Sequence, residues 1–257
     1  TSVVEVGKLH AIAGVLADQD FLDGVDRYSS LSGEIQNLGS ITAGEVVLAG
    51  ATLSNSGRII AQDGLVVLAA GSALEVASAT DSITVSLESP EPGSENAGAL
   101  LSVGDLAGQA LWNSGVVEAS RLELHASTMV VSGQATAQSV NAGSFRSLVQ
   151  TEGSLNADSL SLSGGADSGE AATVAMTSVS NRIPDLRPSG TFEKIAVRSS
   201  GAMQVSSSGF NAQNVDLRVY QGDLTLMAGM TRTQAASLPR AVLVGAKVPA
   251  LDPAPQP

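Results

Sequence analysis

The sequence predicts an all-β chain wound as a parallel β-helix, a β-solenoid with ~18–20 residues per coil. Three observations carry that prediction: a short apolar template that recurs, a nearly constant interval between its copies, and strand-like alternation inside each copy.

The template is Ile41-Thr-Ala43-Gly-Glu-Val46-Val-Leu48, and four later stretches match it without a gap. They are Val117-Glu-Ala119-Ser-Arg-Leu122-Glu-Leu124, Ala135-Thr-Ala137-Gln-Ser-Val140-Asn-Ala142, Leu155-Asn-Ala157-Asp-Ser-Leu160-Ser-Leu162 and Phe210-Asn-Ala212-Gln-Asn-Val215-Asp-Leu217. A further copy, Ile59-Ile-Ala61 followed by Val66-Val-Leu68, carries extra residues at Asp63 and Gly64. Ala43 to Ala61 and Ala119 to Ala137 are each 18 residues, and Ala137 to Ala157 is 20, the length of one coil. Within a copy, apolar positions alternate with Ser, Thr, Glu or Asn, the period of a strand with one buried face.

Each copy reads as two short strands broken by a polar dipeptide such as Ser120-Arg121 or Asp158-Ser159, which turns a corner and keeps apolar side chains inward on both sides. One coil cannot bury its own apolar face, so stability must come from stacking, with backbone hydrogen bonds between coils ~4.8 Å apart. Ahead of several copies stand Asn37-Leu-Gly39, Asn55-Ser-Gly57 and Asn113-Ser-Gly115. Asn and Gly accept the left-handed backbone of a tight corner, and stacked Asn side chains can bond amide to amide as a ladder. Asn37, Gly39, Asn55, Gly57, Asn113 and Gly115 are therefore expected to be structural turn positions.

Residues 1–248 read as a single β-helix domain. Two polar, Gly- and Pro-bearing segments, 88–99 and 163–192, read as loops leaving the rod. Residues 249–257 read as a proline-rich tail that cannot join a sheet.

Composition narrows the function. Of the 257 residues, 43% are apolar, enough to fill a core, but only seven are Phe, Tyr or Trp, so the core must consist of small side chains. Thirteen Lys and Arg against twenty-five Asp and Glu give a net charge of −12, which argues against a nucleic-acid partner. With no cysteine there is no disulfide and no thiolate metal site. No apolar run approaches the ~20 residues of a membrane span. The first residues lack the regions of a signal peptide, and Thr1 in place of Met reads as a processed or truncated start.

The chemistry-bearing residues are sparse. His10 and His125 are more than a hundred residues apart and are not expected to be catalytic. Glu118, Glu123, Asp216 and Asp223 fall singly along strands, as on a solvated outer face. The turn pattern that binds calcium in other solenoids occurs once, at Gly164-Gly165-Ala-Asp167. Met203, Met227 and Met230 read as core filler, and Trp112 as a residue packed over a corner or against the 88–99 loop. No cofactor is expected.

Residues 1–76 resemble the second half of the secretion domain of filamentous haemagglutinin-like exoproteins, the two-partner secretion family. The resemblance rests on Val4-Glu-Val6-Gly7-Lys-Leu9-His-Ala11, Asp20-Phe21-Leu22-Asp-Gly24, Tyr28-Ser29, Gly33 and Ile35-Gln-Asn37-Leu-Gly39-Ser-Ile41. It continues through Val46-Val-Leu48-Ala-Gly50, Leu53-Ser-Asn55-Ser-Gly57-Arg-Ile59-Ile-Ala61, Gly64-Leu-Val66-Val-Leu68-Ala-Ala-Gly71 and Leu74-Glu-Val76. It implies a right-handed parallel β-helix, export across the outer membrane of a Gram-negative cell by a partner transporter, an extracellular or cell-surface location, and a role in adhesion or surface structure. The expected function is a secreted, non-catalytic rod that assembles through its solenoid ends into a filament. The alternatives are an adhesin that binds a host or cell-surface glycan and a carbohydrate-active β-helix enzyme.

Overall fold

One column of side chains traces the molecule. Leu9, Val46, Val66, Leu122, Val140, Leu160, Leu186, Val205 and Leu226 are successive partners in parallel strand pairing, a stack of nine rungs. At the ~4.8 Å spacing of paired strands, the column is roughly 40 Å tall. The computed structural model describes residues 2–77, 82–86, 110–165, 171–206, 210–226 and 240–244, and within them the chain is a parallel β-helix.

Each regular coil has a short strand and a long one, as in Thr128–Val131 and Gln134–Phe145. The long strand bends at the polar dipeptide. In Val116–Ala126 the buried residues are Val117 and Ala119, then Leu122, Leu124 and Ala126, while Ser120 and Arg121 are both half-buried. The dipeptide thus shifts the inward phase by one residue. Pairing nonetheless continues from Val116 to His125 against the next coil, so the template forms one bent strand rather than two. The partner bends at the same place, so no hydrogen bonds need be lost at the corner.

Ala61, Ala119, Ala137 and Ala157 are direct partners in adjoining rungs. Ala43 follows Thr42, the partner of Ile60, and so lies in the rung next to Ala61. The extra Asp63-Gly64 is absorbed as a register shift against both neighbouring coils. The copy at 210–217 belongs to a different column. Ala212 lies on Phe192, which lies on Ala172, while Val215 continues the line of Leu148, Val174 and Ile195. In that column Phe192 takes the template's Ala position. It fills the interior with Phe145 and Phe210 at ring-centroid distances of 6.4 Å each.

The 163–192 segment differs from its reading as a loop. Ala172–Met176 pairs with Ser147–Gln150, and Asp185–Ser199 pairs with four strands, so much of the segment forms rungs. Asn181, Ile183, Leu186 and Phe192 are fully buried. Pro188 sits inside a strand, with Leu162 of the preceding coil as its partner. The 88–99 loop and the 249–257 tail lie outside the described residues.

A second sheet covers one flank. Val15–Leu16, Asp26–Ser29, Ala73–Ala77 and Ser82–Ser86 form four antiparallel strands in that order. They come from two insertions, one after the first rung and one after the third, which meet on the outside of the rod. Leu31 and Leu74 from this layer pack on Val47, Ala49, Val67 and Ala69, the outward side chains of two rungs, in a cluster separate from the interior. The strands at 46–50 and 66–70 are consequently buried on both faces, which explains their continuous apolar runs.

Candidate functional site

The sequence-predicted turn positions converge on one corner. Asn37, Asn55 and Asn113 each end a short strand and are mutual partners in the stack. Asn37 Nδ2 donates to Asn55 Oδ1 at 2.8 Å, and Asn55 Nδ2 donates to Asn113 Oδ1 at 2.8 Å, a buried amide ladder. The backbone carbonyl of each Asn accepts the N–H groups of the Ser-Gly pair in the next coil: Ser56 and Gly57 on Asn37, Ser114 and Gly115 on Asn55, Ser132 and Gly133 on Asn113. These bonds turn the amides inward, into the corner itself.

The glycines there serve a purpose other than the left-handed backbone that the sequence suggests. Gly39, Gly57 and Gly115 are absent from the positive-φ residues, as are the three asparagines. What requires glycine is stacking: a Cβ at Gly57 would be driven into the Gly39 carbonyl oxygen, and one at Gly115 into that of Gly57. Gly133 continues the file against Gly115. The ladder stops at Val131, the partner of Asn113. Beyond it lies a second amide pair that sequence reading missed: Gln150 and Asn181 exchange hydrogen bonds of 2.8 and 2.6 Å, and Asn181 Oδ1 also accepts the Leu155 N–H at 2.8 Å. Gln150 and Asn181 lie 31 residues apart, outside the coil period, so no spacing signal could have found them.

The outer faces carry the remaining polar chemistry. Glu118 accepts from Arg58 at 2.7 Å, and Asp216 accepts from Arg218 at 2.7 and 3.0 Å, which pushes the guanidinium of Arg218 further up. Glu45 bridges the first two rungs, taking Lys8 at 2.8 Å and His10 at 2.6 Å. Lys8 foremost, and His10 with it, hold the Glu45 carboxyl below the usual carboxylate range despite its partial burial. Trp112 is half-buried on the short-strand face, stacked between Ser54 and Val130. Met203 is buried in the interior. Met227, Met230 and Asp167 lie outside the described residues, and no group of three or more His, Cys, Asp or Glu is placed to hold a metal among those described.

One cluster is distinctive. Along the flank, the outward columns change at a single step from Leu65, Val67 and Ala69 to Arg121, Glu123 and His125, just past the edge of the covering cluster. Glu123 and His125 are mostly enclosed, at 15% and 11% side-chain exposure. Asn141, one coil on, donates to Glu123 Oε2 at 2.7 Å. Arg121 Nε lies 3.5 Å from Glu123 Oε1 and His125 Nε2 lies 3.5 Å from Oε2; this imidazole nitrogen makes no hydrogen bond. Gly143 and Ala69 are the neighbours of His125 in the adjoining rungs, leaving room for the ring. The result is a partly buried cluster of guanidinium, carboxylate, imidazole and amide on the outer face of the rod. Glu123 and Asn141 are 18 residues apart, so the coil period held the signal for their contact. No family model matches the chain, and no curated protein matches it.

Proposed function

We propose that this chain acts through its shape, as a secreted, non-catalytic structural or adhesive surface protein whose β-solenoid associates end to end into an extracellular filament. The observation that carries the reading is the nine-rung column from Leu9 to Leu226, buttressed by amide pairs in its interior. Such a stack resists bending because each rung is hydrogen-bonded to the next along its whole length. Strand backbone at the end of a stack is a template for another β layer. The likeness of residues 1–76 to the secretion domain of filamentous haemagglutinin-like exoproteins supports export from a Gram-negative cell through an outer-membrane partner transporter. Electron microscopy across a concentration series tests the assembly: rods should lengthen in steps of one subunit, and dispersed single rods at every concentration would refute it.

A second reading is carbohydrate binding at the cluster of Arg121, Glu123, His125 and Asn141. The unbonded, largely enclosed His125 Nε2 beside the Glu123 carboxylate favours it. A glycan array with Glu123→Gln as the control tests this reading, and signals unchanged by the substitution would remove the cluster as the site.

A further inference from the structure

We draw no further inference here: the strongest candidate, the exposed apolar surface patch of Phe21 and Leu22 on the short helix Asp18–Leu22 of the flank insertion, carries nothing because nothing in the structure shows what covers it.

Discussion

Replacing Asn55 by leucine should cost the rod about 4 kcal/mol, because the new side chain fills the space but abandons two partners. Asn55 is 0% exposed, and its amide accepts from Asn37 and donates to Asn113 at 2.8 Å each. The substitution leaves Asn37 Nδ2 and Asn113 Oδ1 without their bonds, at about 1–3 kcal/mol for each buried orphan. For a domain of this size that corresponds to a fall in melting temperature of roughly 8–16 °C. Because solenoid coils can unfold unevenly, thermal melts should be paired with amide exchange. The Ser114 and Gly115 N–H groups, both bonded to the Asn55 carbonyl, should lose protection first. The decisive comparison is the triple variant with leucine at 37, 55 and 113. With all three apolar no ladder side chain is orphaned, although the Gly39 N–H loses its 3.1 Å bond to Asn37 Oδ1, so the triple should cost clearly less than the sum of the three single changes. Val131 already occupies the next place in that column. A single variant within 1 kcal/mol of wild type, or a fully additive triple, would refute the reasoning.

Further outcomes follow from other parts of the molecule. Gly115→Ala should destabilise by about 1–3 kcal/mol through a steric clash with the Gly57 carbonyl, while Gly201→Ala, which meets nothing within 4 Å, should be neutral or slightly stabilising in the same urea titration. Leu74→Ala removes a side chain only 1% exposed from the flank cluster and should cost about 2–5 kcal/mol; hydrogen exchange should show residues 26–29 and 82–86 opening while the rungs at 116–145 stay protected. The Glu45 carboxyl titrates below its ordinary range in the folded chain, so its stabilisation is present above the unfolded value near pH 4.3 and is lost as pH falls through the folded one. With side-chain exposures of 72% for Lys8 and 21% for Glu45 the effect should stay under about 1 kcal/mol. It should appear as acid-induced loss of amide protection in Val3–Ile12, and Lys8→Met should move that loss to higher pH.

Legibility differed between parts of the chain for identifiable reasons. The Ala61, Ala119, Ala137 and Ala157 column was readable because the spacing between copies is the path length around one coil, and side chains one coil apart must meet. The Asn ladder was readable for the same reason at its first step, where the residues are 18 apart, and by motif likeness at the second, where they are 58 apart. The rung at 190–197 escaped because Phe192 occupies the small-residue position, a substitution the interior accepts where Ala172 and Ala212 flank it. Pro184, Pro188 and the glycines at 164 and 165 disguised the rungs at 172–190, since local breaker signals say nothing about whether a partner strand needs the missing N–H.

What the sequence by itself determined is the rung: which residues point inward, where the strand bends, and that successive copies lie in parallel. These follow from alternation and period, which are properties of a few neighbouring residues. Only the tertiary structure decided which rungs touch across the insertions, that two separate insertions combine into one antiparallel sheet over Val47 and Val67, and that Glu123, His125 and Asn141 come together near its border. The physical reason is that lengthening a connection adds little closure entropy, so an insertion of almost any length leaves the rungs on either side unaltered. Where that insertion comes to rest depends on the apolar surface left uncovered by coils distant in the chain.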